Sequence, residues 1–353
     1  MTAASLFIGT YTDGPQGRGS GIYHCEVDLH AGTFGTVDLA VAARNPSYLI
    51  NGFGSFIYAT QEHDDLTEAG VIALRRDGRN LKLFDETLLS GAGACHLAIS
   101  PDCRFLAVAQ YDSGTTDLLS LWSSGSIGPR LSTVHGEGSG PNALRQEGPH
   151  AHCVAFLDSP VELAIVDLGS DRITVVPLEL RTSVLDLSKS RHIEMPAGSG
   201  PRHLDVTPDD QCIVVLCELD ETILFYERTQ VDWHLTNTLS AFERPIGGQG
   251  AAAALRRDAS GRLYASSRTD DLIACIAPGD STTVRQRIAS GGTHPRDIAL
   301  APGGHIIVAA NQFDDRLTSF CVEPTSGTLT PTGHVAIVPS PACLLFPHPQ
   351  NRE

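Results

Sequence analysis

Lysine is nearly missing. Only Lys82 and Lys189 occur in 353 residues, so imine-forming chemistry has two candidates, neither in a promising context. The nine cysteines contain no C-x-x-C pair, and the one sequon-like triplet, Asn45-Pro46-Ser47, carries the forbidden proline. No G-x-S-x-G elbow is present, which removes the usual serine-hydrolase signature. Long apolar runs are lacking too. Stretches such as Cys212-Ile213-Val214-Val215-Leu216-Cys217 fall far short of a membrane span. Residues 1–14 have no basic segment and no sustained apolar run, so no secretory leader is expected. An odd number of cysteines, most of them inside β-like runs, reads as buried free thiols in a reducing cytoplasm.

Positive charge is scarce as well. Lys+Arg number 25 against 41 Asp+Glu, a formal net charge of −16. Such a surface repels nucleic acid and anionic lipid, and neither is expected as a partner.

What the chain has in quantity is turn residues, 34 Gly and 21 Pro, beside a 41% hydrophobic content that excludes disorder. Length alone suggests two domains at ~150 residues each. A recurring phrase overrides that: a Pro or small residue, an apolar strand, turn residues, then a second strand rich in Val, Ile, Ala and Leu. Its anchors are Pro46, Ala94, Pro149, Pro201, Gly250, Pro295 and Pro341, separated by 48, 55, 52, 49, 45 and 46 residues. Four-stranded propeller blades run to ~40–50 residues. The seventh copy stops after one strand, and residues 5–11 (SLFIGTY) and 21–28 (GIYHCEVD) supply the strands it lacks. No long 3.6-residue period is found, which argues against βαβ units. The expected fold is all-β, a seven-bladed β-propeller closed by N- and C-terminal strands sharing one blade, with residues 1–353 as a single domain. The insertion 120–148, rich in Gly, Ser and Pro, is expected to loop over a face. Its G-S-G-P-N-A stretch lacks the strand and helix of a dinucleotide site.

The start of a blade's first strand and the end of its second share one edge, and those edges meet around one mouth of the central channel. The residue after each anchor is Ser47, Cys95, His150, Arg202, Ala251, Arg296 or Ala342. The second strands end on Asp167, Glu218, Arg268 and Asn311/Gln312. His150, Arg202, Glu218 and Arg268 are thus expected to converge. Charged residues in such apolar runs are costly unless paired or functional. Two guanidiniums, a carboxylate and an imidazole suit an anionic substrate and proton transfer; they could equally form an ion network lining the channel. His152 and His203 could ligate a metal, but no metal-ligand spacing accompanies them, so no metal and no cofactor are expected. Asp167, Asp209, Asp270 and Asp314 read as turn acids, and Trp122 and Trp233 are too isolated for sugar stacking.

At these residues the chain resembles the seven-bladed lactonase family, which includes propeller-type 6-phosphogluconolactonases and 3-carboxy-cis,cis-muconate lactonizing enzymes. The resemblance covers nearly the whole chain and is carried by SGPNALRQEGPHAH (139–152), VDLGSDRI (166–173), GPRHLDVTPD (200–209), ELDETI (218–223), HPRDIALAP, AANQ and SPACLLF. In the muconate branch the active-site set is one His, two Arg and one Glu, positions that fall here on His150, Arg202, Glu218 and Arg268; His152, His203, Arg296, Gln312 and Arg145 are expected to contact substrate. Where the family commonly has Ser-Asn-Arg, this chain has Ser266-Ser267-Arg268. The implied activity is hydrolysis of a small anionic sugar lactone, with 6-phosphogluconolactone as substrate. Cycloisomerisation of a carboxymuconate uses the same residues, and a non-catalytic binding scaffold is the third reading. His150 and Glu218 are left interchangeable as acid and base.

Overall fold

The computed structural model describes residues 2–15, 17–158, 160–230, 232–242, 250–278 and 282–348. Seven antiparallel sheets follow one another along the chain, and none of the described residues is in an α-helix. Six sheets are continuous in sequence: blade one (49–88), two (94–135), three (151–194), four (201–240), five (252–289) and six (295–337). Blade seven joins the chain ends. Its inner strand is Pro341–Leu345, and Ala3–Thr10, Gly21–Asp28 and Asp38–Ala42 lie outside it. Phe7 pairs with Leu345 and Ile8 with Leu344, so the ring is closed by backbone hydrogen bonds as the repeat predicts.

The core is seven wedges rather than one centre. Each cluster of buried apolar side chains lies between two neighbouring blades. One packs Val166, Ile173 and Val175 of blade three against Val215, Leu224 and Tyr226 of blade four. Another packs Ala254, Tyr264 and Ile273 against Ile298, Ile307 and Phe320. Side chains alternate across a strand, so every middle strand needs apolar residues on both faces to fill two wedges. That is why Phe105–Gln110 and Ile306–Asn311 are buried throughout.

Acids in the turns tie one blade to the next. Asp171 accepts from Gly198 N and Gly200 N at 2.6 and 2.8 Å, fixing the entry to blade four. Asp271 does the same for His294 N and Asp315 for Ser340 N, at 2.6 and 2.7 Å. These three acids have positive φ, of 51–56°, a region that Asp enters more readily than most residues. Asp270 and Asp314, read as turn acids, do lie in these turns, one residue before the acids that tie the blades together. Asp167 and Asp209 do cap turns, through Gly169 N and Gln211 N.

The insertion 120–148 is only half loop. Ile127–His135, Gly128 and Pro129 included, forms the outer strand of blade two. An edge strand tolerates proline, and register shifts between Leu118 and Leu121 absorb it. The true loop, 136–150, bridges blades two and three.

Candidate active site

The inner strands are irregular in the same way. In six blades the first strand holds an extra residue opposite the second: Cys95, His152, Arg202, the Ala253-Ala254 pair, Arg296 and Ala342. A bulge drops its residue out of the ladder and re-aims the side chain. Five of these bulge residues, Cys95, His152, Arg202, Arg296 and Ala342, line a small cavity together with Ser47, Tyr48, Glu62, His203 and Asp297. Its volume is about 20 Å³, room for one water, so side chains close the channel below the mouth.

This corrects the register read from the repeats. Pro149 had been aligned with Pro201, but the ladders match Ala151–Asp167 with Pro201–Cys217. The residue equivalent to Arg202 is therefore His152, not His150, and in blade five it is Ala253, not Ala251. His150 instead matches Gly200: the N–H of Leu168 donates to His150 O as that of Glu218 donates to Gly200 O. Tyr11, Tyr111, Leu168, Arg268 and Gln312 stand in the position of Glu218, each donating its N–H to the residue before an inner strand, and Glu62 donates its own to Asn45 O, four residues before its strand. Tyr111 and Tyr11 went unnoticed in the sequence. The count that finds Glu218 from Arg202, 16 residues, also reaches Tyr111 from Cys95.

Glu218 is the centre of the site. It is 2% exposed and carries three guanidiniums. Arg202 Nε and Arg268 Nη2 each lie 2.8 Å from Oε2, and Arg145 Nη2 lies 2.7 Å from Oε1. Burial alone would raise the Glu218 pKa; the fields of Arg268, Arg202 and Arg145 more than reverse this and hold it far below the usual carboxylate range. Burial and the like charge of Arg268 press Arg202 down to about 10, still a cation at neutral pH. Three cations on one anion leave the cluster two charges positive. Arg202 also donates to Ala253 O and lies 3.0 Å from His203 Nε2, and Arg268 Nε donates to Ala251 O at 3.0 Å.

His150 does not touch Glu218 directly. Its ring stacks on Tyr111 at 4.4 Å and 15°, and the Tyr111 hydroxyl accepts from Arg145 at 3.2 Å. The link runs Glu218–Arg145–Tyr111–His150. His150 Nδ1 lies 3.0 Å from the Tyr111 carbonyl oxygen and Nε2 lies 3.2 Å from a Glu147 carboxylate oxygen. Both partners are acceptors, so the ring satisfies both only with a proton on each nitrogen. His152 and His203 are core imidazoles, 6.1 Å apart, held neutral by burial and by the charge of Arg202. Among the described residues no group of three His, Cys, Asp or Glu is placed to hold a metal ion.

Beside this cluster opens a cavity of about 550 Å³, ample for a small sugar. Its lining combines Arg268, Arg296, Gln312, His294 and Tyr11 with the acids Asp13, Glu62, Asp64 and Asp112. Arg296 donates to the Tyr11 hydroxyl, which bonds Glu62 at 2.9 Å. Glu218 meets this cavity through Arg268, which lines it; His150, Glu218 and Arg145 are not among its lining residues.

Residues 5–346 match the family described as Lactonase, 7-bladed beta-propeller. A 6-phosphogluconolactonase of Bacillus subtilis is 28% identical over 356 residues, covering 99% of this chain and 99% of that protein. One of Formosa agariphila is 25% identical over 333 residues, 92% of this chain and 94% of the relative. The solved structure of a periplasmic gluconolactonase of Pseudomonas aeruginosa superposes with a TM-score of 0.88 at 25% identity, covering 98% of this chain and 99% of that one.

Proposed function

Because the chain belongs to the seven-bladed β-propeller lactonase family, we propose that it hydrolyses an anionic sugar lactone, with 6-phosphogluconolactone, after which two of its relatives are named, as the lead substrate. The observation that carries this reading is a buried carboxylate clamped by three guanidiniums at the edge of a sugar-sized cavity.

The roles follow from protonation. Glu218 is a carboxylate at neutral pH, so it accepts the proton of the attacking water as that oxygen bonds to the lactone carbonyl carbon. Arg202 and Arg268 face the oxyanion that develops, and because both guanidiniums are largely buried their charge is less screened than at the surface. When the ring C–O bond breaks, His150 gives its Nε2 proton to the leaving alkoxide, and the product is the open hydroxy acid. His152, His203, Arg296 and Gln312 shape the floor and wall around the substrate. A cytoplasmic location belongs to the same reading, because nine free cysteines, five of them buried, suit a reducing compartment. Cell fractionation tests it.

Purified protein is assayed against 6-phosphogluconolactone and carboxymuconate, with spontaneous lactone opening subtracted. Turnover of the lactone, lost in Arg268→Ala, is expected. Turnover of the muconate alone would replace hydrolysis with cycloisomerisation, and turnover of neither by folded protein would leave a binding scaffold.

A further inference from the structure

Of the three cations on Glu218, Arg145 stands apart. The Arg202 and Arg268 side chains are 4% and 11% exposed and both are tied to backbone carbonyls of blade five. The Arg145 side chain is 39% exposed, and among the described residues it donates, besides Glu218, only to the Tyr111 hydroxyl. Its backbone, in contrast, is fixed. Gln146 is fully buried; its Nε2 donates to Leu168 O at 2.9 Å, its Oε1 accepts from Asn142 N, and its own N–H donates to Asn142 O at 2.7 Å. The loop is therefore a rigid post with a long, half-exposed guanidinium on top.

We infer that Arg145 is an exchangeable cap: an anionic group on the substrate draws its guanidinium off Glu218, and this exchange frees Glu218 to act as the proton acceptor. The inference rests on the lactonase reading and deepens it, since it names phosphate- or carboxylate-bearing lactones as the substrate class and makes the anion part of the trigger. After the exchange Glu218 keeps two guanidiniums, so no buried charge is left unpaired. Withdrawal of one cation raises its proton affinity, which a carboxylate under three cations lacks. A neutral lactone leaves the cap in place and meets a poor base. Arg145 thus selects substrate through both binding and rate.

Kinetics and binding test this separately. The preference for 6-phosphogluconolactone over unphosphorylated gluconolactone, as a ratio of kcat/KM, is expected to fall at least about tenfold in Arg145→Gln, with partial recovery in Arg145→Lys. A ratio within twofold of the parent overturns the inference. Calorimetry with inorganic phosphate needs no turnover. Binding is expected to weaken about tenfold in Arg145→Gln and to tighten in Glu218→Gln, where the cap is already released. Glu218→Asp, whose shorter side chain loosens the same clamp, gives the same direction if the Gln variant does not fold. Phosphate binding that is unchanged or weaker in both Glu218 variants overturns the exchange. Failure of the parent protein to open either lactone, with these shifts intact, would instead overturn the lactonase reading alone.

Discussion

Arg202 meets Glu218 because the chain spends one extra residue between Pro201 and His203. Without that bulge Arg202 would alternate into a wedge between blades; with it, Nε lies 2.8 Å from the Glu218 carboxylate. The same irregularity recurs in six inner strands, so the mouth is built from residues that have left the ladder. Around it, identical backbone positions carry different chemistry, from Ala342 to His152 to Arg202. A ring of bulges is a scaffold on which a site is written one side chain at a time.

Removing the charge of Glu218 should therefore cost more than activity. In Glu218→Gln the proton acceptor is lost and three guanidiniums face one another in a buried site. We expect kcat to fall by about 10²–10⁴ and stability to drop by roughly 3–5 kcal/mol, as for other buried pairs broken on one side. Urea unfolding followed alongside lactone turnover separates the two effects. Unchanged stability would mean that water already screens the cluster.

Arg268 performs two jobs with one planar group, pairing with Glu218 at 2.8 Å and donating from Nε to Ala251 O at 3.0 Å. A lysine has one ammonium and cannot hold both. Arg268→Lys should keep the fold and lose kcat by at least about tenfold, little better than Arg268→Ala. Full activity in the lysine variant would show that only its charge matters.

Much of this was legible in the sequence. Blade lengths and the shared closing blade followed from the spacing of seven anchors, and simple counting brought Arg202, Glu218 and Arg268 together. His150 was misplaced because Pro149 reads as the counterpart of Pro201, whereas the ladders match Pro201 with Ala151, two residues further on, and an alanine there gives the repeat no visible anchor. Tyr111 was within reach of the same count and was passed over. The pairing of Arg145 with Glu218 was out of reach, because it depends on how the buried Gln146 folds a loop that had no repeat partner to be read against.

Asp171 reaches the site from outside it. Its carboxylate receives Gly198 N and Gly200 N, and the next strand, Pro201–Val206, presents Arg202. Asp171→Ala leaves two backbone donors without their acceptor, which costs about 1–3 kcal/mol each when buried. We expect a lower melting temperature and a fall in kcat with KM less affected, since the guanidinium is displaced rather than deleted. Asp171→Asn, which keeps one acceptor oxygen, should recover part of both. A variant with normal kcat would show that blade four holds its register unaided.

The last prediction concerns acid. His96 and His294 are pressed down to about 3, in both cases first by burial and then by neighbouring arginines, and His152 and His203 are lowered from the same causes. In the unfolded chain a histidine titrates near ~6.5. Below that pH the unfolded state binds protons that the folded state refuses, so stability is complete above about 6.5 and is lost as the pH falls toward 3. Each such histidine contributes about 1.4 kcal/mol per pH unit once its unfolded form is protonated. Glu218 adds to the loss only below the unfolded glutamate range, near ~4.3. Asp205, Asp297 and Glu221, whose pKa values burial raises, act in the opposite direction. Comparing a single variant with its parent cancels these contributions. His294 is the position for it, because its φ of 63° is one that asparagine tolerates and its N–H bond to Asp271 is made by the backbone. His294→Asn should unfold in urea with a shallower loss of stability between pH 6 and pH 4, by about one proton. Parallel slopes in the two proteins would show that His294 takes up its proton while folded, in spite of Arg268 and Arg296 beside it.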